Sequence, residues 1–196
     1  LDVPKFLSAS RNVFDVRVGS VDLNSQIEPE SNRVIVRTES GTLSAGRLIL
    51  CQGPDGGKEN KYFDWVPFNS VKGEILTVRC DALANEWRVL NGPGWLAPVP
   101  GSPGFFRAGS TYVRHDLTPA PTEDGRLAIE DNLAKLLRVP FETVAHCAAM
   151  RPIIRKSRAL VGIHPKYSRI GFFNGLGSKG TLNAPAIAKG FANHLE

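Results

Sequence analysis

The sequence predicts an α+β fold, in which a mixed, largely antiparallel sheet with a flanking helix is inserted into a second domain that is only partly present. Three observations carry that expectation. The middle of the chain reads as a meander of short strands with one helix. Both ends read as pieces in which strand and helix patterns alternate. No internal repeat or low-complexity tract divides the chain. At 196 residues it is long enough for one large domain or two small ones with a buried core.

The elements follow from local patterns. Residues 3–12 have helical spacing, with Phe6, Leu7 and Val13 on one side, and residues 14–18 alternate with period two, as a strand does. Residues 34–38 form a second strand, Glu39-Ser40-Gly41-Thr42 a turn, and residues 47–51 a third strand. The stretch 33–51 thus reads as a hairpin whose return strand, apolar throughout, is central in its sheet. Residues 52–61, rich in Gly, Asp and Lys, form a loop. Strands follow over 71–78, 87–90, 94–99 and 105–109, with turns at Asn91-Gly92-Pro93 and Pro100-Gly101-Ser102-Pro103. Thr122 caps a helix running to about Leu137, with Leu127, Ile129, Leu133, Leu136 and Leu137 inward. Residues 145–154 are apolar and broken by Arg151-Pro152, while 159–163 and 170–173 read as buried strands. A closing helix spans 182–195 after a glycine loop.

Composition excludes several classes. With 42% apolar and 22% charged residues the chain is not disordered in its main state. No apolar run approaches the ~20 residues that span a bilayer. The net charge of +5 is dispersed apart from Arg151, Arg155, Lys156 and Arg158, which falls short of a nucleic-acid footprint. Cys51, Cys80 and Cys147 are widely spaced with no CxxC, so neither a zinc site nor a disulfide framework is expected. Cys51 and Cys147 sit in apolar runs and read as core residues, and a reducing, cytoplasmic setting fits. His115, His146, His164 and His194 lack metal spacing, and HExxH and GxSxG are absent, which leaves zinc-enzyme and hydrolase readings unsupported. Trp65, Trp87 and Trp95 read as packing residues. The opening Leu1-Asp2-Val3-Pro4-Lys5 has no initiator Met and no signal-peptide pattern, so the chain reads as a piece of a longer protein.

Gly175-Leu176-Gly177-Ser178-Lys179-Gly180 spells GxGxxG between an apolar strand and a helix. It is not a dinucleotide fingerprint, because only residues 181–196 follow and no second strand or ribose-binding acid can form. Its physics stands regardless. Glycines let backbone approach a flat ligand, and the N-terminus of the helix behind the loop presents free N–H groups and positive potential. Arg151 carries the side chain best suited to hold a carboxylate bidentately, with Pro152 fixing the backbone beside it. Taken singly, Lys72-Gly73 and Thr111-Tyr112 are faint signals, and Tyr112 reads as a half-buried strand aromatic.

Taken in order, these segments resemble the FAD-dependent D-amino-acid oxidase superfamily, which includes the glycine oxidases. Ser40 to Gly53 is similar to the family's strand ending in a glycine beside the cofactor. Val71-Lys72-Gly73-Glu74-Ile75-Leu76 resembles its KGxxL strand start. Gly94-Trp95-Leu96-Ala97-Pro98 with Ala108-Gly109-Ser110-Thr111-Tyr112 resembles its YxxP and GxT pair. Ala149-Met150-Arg151-Pro152 resembles its GxRP, and Phe173 to Pro185 its C-terminal GxGxxG with a later Ala-Pro.

The resemblance implies a substrate-binding domain at 69–167, with 1–68 and 168–196 forming part of a Rossmann-like FAD-binding domain. It implies that Arg151, Thr111 and Tyr112 bind substrate. Gly53, Lys72, Gly73 and the loop Gly175, Leu176, Gly177, Ser178, Lys179, Gly180, Thr181 would line FAD. The implied chemistry is hydride transfer from the Cα–H of an amino acid or secondary amine to flavin N5, followed by imine hydrolysis, with no side-chain base required.

Departures from the family are specific. The N-terminal GxGxxG for the ADP moiety would lie before Leu1. Lys156 and Ala159 stand where Asp and Pro are frequent, and Met150 replaces a frequent glycine. The expectation is therefore an enzymatic parent and an inactive fragment. Two other readings stay open. The segments around Trp95 and Ser110 also resemble the oxidase domain of the bifunctional tRNA wobble-uridine modification enzyme, for which tRNA would be a partner. The fold could also serve as a non-catalytic binding domain.

Overall fold

The computed structural model describes residues 2–58 and 60–196. They gather into two compact units, one made of the segments Leu1–Asn69 and Pro152–Glu196, the other of Ser70–Arg151. Helix and sheet are mixed in both, and antiparallel pairing dominates.

The first, discontinuous unit opens with helix α1 (Val3–Arg11), where the Asp2 side chain accepts from the Lys5 N–H and Pro4 occupies the first turn. No residue of α1 is buried. Strands β1 (Ile27–Pro29), β2 (Val34–Thr38) and β3 (Gly41–Ala45) form an antiparallel sheet in the order β1-β2-β3. Strand β4 (Leu48–Leu50) joins a different sheet. The core of the unit packs Val34, Tyr62, Phe63, Ile154, Ile170 and Phe172 together, with Phe63 stacked on Phe172 at 4.6 Å between ring centres.

The central unit is a five-stranded antiparallel sheet. Strands β5 (Val71–Arg79), β6 (Leu90–Asn91), β7 (Trp95–Pro98), β8 (Phe105–Gly109) and, after helix α2 (Glu123–Leu136), β9 (Glu142–Arg151) adopt the order β6-β7-β8-β5-β9. Alternation on β5 sends Lys72, Glu74, Leu76 and Val78 to one side. Leu76 and Val78 there join Leu96, Phe106 and Ala108 under Ile129 and Leu133 of α2. Thr122 caps α2, its hydroxyl accepting from the Gly125 N–H.

The chain then returns to the first unit, where β10 (Leu160–Ile163) pairs antiparallel with β11 (Ile170–Asn174), and β11 runs parallel to β4. Helix α3 (Gly180–Leu195) closes the chain.

Several local expectations are corrected. Residues 14–18 form no strand: Phe14 and Val18 are 67% and 100% exposed, so their alternation meets no second strand to pair with. The return strand of the 33–51 hairpin is β3, since Thr38 faces Gly41, whereas Leu48–Leu50 leaves for β11 and lies at the edge of its sheet. Apolarity there reflects a parallel partner distant in sequence. The strand expected at 87–90 shrinks to Leu90–Asn91, with Trp87 80% exposed. Trp65 and Leu127 are also exposed, as are Cys51 and Cys147, leaving Cys80 as the buried thiol. Leu127 and Cys147 lie on the outward phase of α2 and β9, whereas Cys51, Trp65 and Trp87 lie in segments outside any helix or strand.

Candidate functional site

The central unit assembles one group of the expected residues. Strands β5 and β9 pair so that Gly73 faces Ala149 and Val71 faces Arg151. A Cβ on Gly73 would collide with the Arg151 guanidinium, so the glycine makes room for that head group. Arg151 donates from Nη1 to the Thr111 carbonyl at 3.1 Å and from Nη2 to the Ser110 hydroxyl at 2.9 Å. Its Cζ lies 5.9 Å from the centre of the Tyr112 ring. Among the described residues it makes no ion pair. Burial lowers its pKa from the ordinary value, although an arginine stays charged.

The segment that meets Arg151 is held from below by β5. The Glu74 N–H donates to the Thr111 hydroxyl at 2.9 Å, and Lys72 and Val113 exchange both backbone bonds. Lys72 is fully buried and donates from Nζ to Asp116 at 2.5 Å, with Glu74 at 3.7 Å. That bond, and two from Thr118, hold the Asp116 carboxyl well below the usual carboxylate range. Lys72 therefore has its ammonium committed to the interior and both its backbone polar groups committed to Val113. Tyr112 is 52% exposed and lies outside any strand.

Beneath the same strand, Glu74 is buried at the start of α2. It accepts from the Thr122 N–H and hydroxyl, each at 2.8 Å. His146 Nε2 sits 2.8 Å from Glu74 Oε2 but is not aligned for a hydrogen bond. Burial by itself would raise the Glu74 pKa; the two Thr122 donors and the Lys72 charge outweigh it and leave the carboxyl lowered. A cavity of about 420 Å3 opens here, lined by Glu74, Tyr112, Asp116 and Asn132 among others.

The discontinuous unit assembles the second group. Gly53, at φ 59°, begins a tight turn, and its carbonyl accepts from Asn174 Nδ2 at 2.8 Å. Asn174 Oδ1 in turn accepts from the Gly175 N–H at 2.8 Å. The buried Asn174 amide thus ties the end of β4 to the glycine loop. Gly175 and Gly177 lie at φ 78° and 58°, and Gly177 N–H donates to the Pro152 carbonyl. Leu176 precedes a short turn over Gly177, Ser178 and Lys179, after which α3 begins at Gly180 and Thr181. No side chain caps α3, so its first N–H groups face outward along the helix axis.

Sequence reasoning missed three residues of these groups, Ser110, Asp116 and Glu74, and gave Asn174 no role of its own beside the glycine loop. Asn174 carried a readable signal, a polar residue ending an apolar strand just before a glycine. Asp116 carried none, since its partner Lys72 is far away in sequence.

Comparison with known proteins gives this geometry a context. The chain is 28% identical over 175 residues to a glycine oxidase of Bacillus licheniformis, covering 86% of this chain and 46% of that protein. To a glycine oxidase of Bacillus subtilis (strain 168) it is 25% identical over 166 residues, covering 82% and 44%. It thus spans about half the length of the curated relatives it matches. The crystal structure of glycine oxidase from Geobacillus kaustophilus superimposes with a TM-score of 0.71 at 20% identity, over 90% of this chain and 48% of that one. That of iminodiacetate oxidase from Chelativorans sp. BNC1 gives 0.68 at 17%, over 87% and 47%. No helix among the described residues is long and apolar enough to cross a membrane. The model of the FAD dependent oxidoreductase family matches residues 20–194, and the chain belongs to that family.

Proposed function

We propose that this chain is part of an FAD-dependent oxidoreductase that oxidises the C–N bond of an amino acid or secondary amine, with Arg151 holding the substrate carboxylate. One observation carries the reading: Arg151 is partly buried and oriented by Ser110 and Thr111, yet has no carboxylate partner among the described residues. Two donors of its fork are spent on neutral acceptors, and its charge is uncompensated. A ligand carboxylate supplies what is missing.

In this reading Ser70–Arg151 binds substrate, with Thr111 fixing the guanidinium and Tyr112 forming a wall. The discontinuous unit forms part of an FAD-binding domain. Gly53 and residues 175–181 present backbone in place of side chains, and the uncapped start of α3 offers positive potential. A flat ring with an anionic edge fits such a cradle. In the same reading Lys72 and Gly73 of the central unit are assigned to the cofactor through backbone surface, since the Lys72 N–H and carbonyl are both bonded to Val113. When bound, FAD supplies the two-electron acceptor. This chain's residues bind and orient, and the substrate carboxylate anchors the reacting carbon through Arg151. A longer parent would contribute the nucleotide-binding part, supported by the twofold length of the relatives, and the chain alone would be inactive. A cytoplasmic location is supported by three free cysteines.

The test has two arms. Glycolate, which carries the carboxylate without the amine, should bind this chain in an NMR titration and fail to bind Arg151→Gln. Oxidation of glycine or sarcosine by the parent should collapse in Arg151→Ala; unchanged turnover there would remove the clamp.

A further inference from the structure

A second guanidinium shares the ring that flanks Arg151. Arg114 Cζ lies 5.2 Å from the centre of the Tyr112 ring, against 5.9 Å for Arg151, and Arg114 Nη2 donates to the Tyr112 hydroxyl at 3.4 Å. Neither arginine has an ion-pair partner among the described residues. The nearby Asp116 is already committed to Lys72 and Thr118. Two forks without an ion pair among the described residues stand beside one half-exposed tyrosine, and like charges there repel each other.

We propose that Arg114 is a specificity-determining residue, binding a second carboxylate of a dicarboxylic amino acid or amine whose first carboxylate is held by Arg151. The inference rests on the reading of Arg151 as a carboxylate clamp. A dicarboxylate neutralises both forks at once, and each planar guanidinium offers paired N–H donors matched to a carboxylate. The aromatic ring that both approach gives the connecting carbons an apolar surface. Arg114 is on the exposed side of the pair, so solvent screening keeps its contribution modest and salt-sensitive.

The test uses succinate and glutarate against propionate and butyrate, titrated into this chain and followed by calorimetry and by the Tyr112 ring resonances. Wild type should bind the dicarboxylates more tightly. Arg114→Gln should lower the ratio of dicarboxylate to monocarboxylate affinity about fivefold, with the preference shrinking as salt rises. The substitution is at an exposed side chain, and an unchanged circular dichroism spectrum checks the fold. Equal wild-type affinity for the two classes, or a ratio that Arg114→Gln leaves in place, would overturn the proposal. Arg151→Gln separates it from the reading beneath. If monocarboxylate binding survives that change, the clamp itself is wrong; if it is lost while the Arg114 ratio stays fixed, only the second site is wrong.

Discussion

Glu74 can be removed with a computable consequence. Its carboxylate is 1% exposed, accepts both the N–H and the hydroxyl of Thr122, and lies 3.7 Å from the buried ammonium of Lys72. It packs against Gly125, where a Cβ would strike the carboxylate, at the positive end of α2. Glu74→Ala leaves two part-buried donors of Thr122 without their acceptor, each costing about 1–3 kcal/mol. It also strips one of the two carboxylates near Lys72. The sum, about 3–5 kcal/mol, matches the usual cost of breaking a buried charged network. For a chain of this size each kcal/mol moves the midpoint by about 2–4 °C, so the transition of the central unit should fall by about 10 °C.

Glu74→Gln provides the pH arm. It keeps the volume and one acceptor but not the charge, and about half the loss is expected. The folded carboxyl is lowered from its ordinary value of 4.5, so its contribution is fully present above that value and is lost as pH falls through the folded pKa. The stability gap between wild type and Glu74→Gln should therefore be flat near neutrality and shrink below pH 4.5. Urea denaturation followed by fluorescence and circular dichroism measures both quantities. An alanine variant within about 1 kcal/mol of wild type, or a gap that widens on acidification, would refute the reasoning.

Other substitutions probe the remaining structure. Gly73→Ala should displace the Arg151 head group, weakening carboxylate binding about tenfold by titration while costing less than about 1 kcal/mol, because the colliding atoms end a flexible side chain. Gly175→Ala should destabilise the discontinuous unit by about 1–3 kcal/mol, since φ is 78° and Ile154 fills the space, and hydrogen exchange in β11 would report it. Leu133→Ala, at the interface of α2 and the sheet, should cost about 2–5 kcal/mol in urea denaturation.

Elements whose signals are local were legible in the sequence. The cap at Thr122, the alternation through β5 and β8 and the turn at Pro100–Pro103 each rest on residues a few positions apart. The errors have one cause. Residues 14–18 have the period of a strand but no neighbour to pair with, and residues 48–50 have the composition of a central strand but sit at an edge beside β11. Period and polarity describe how a segment would lie in a sheet. They do not name its partner, which is set by contacts more than a hundred residues away.

The same distinction governs the site. Arg151 and the glycines were visible because their chemistry is intrinsic: a fork for carboxylates, and backbone without a Cβ. What makes them a candidate site is relational. Gly73 matters because Arg151 occupies the volume its side chain would fill, and Gly53 because Asn174 reaches its carbonyl. Lys72 shows the converse. A cation in a strand invites a role toward a ligand, but a pleated strand alternates its faces, and the phase that turns Gly73 toward Arg151 turns Lys72 into the interior, onto Asp116. One residue of register therefore decides that Gly73 borders the Arg151 head group and that Lys72 braces the segment carrying Thr111 and Tyr112.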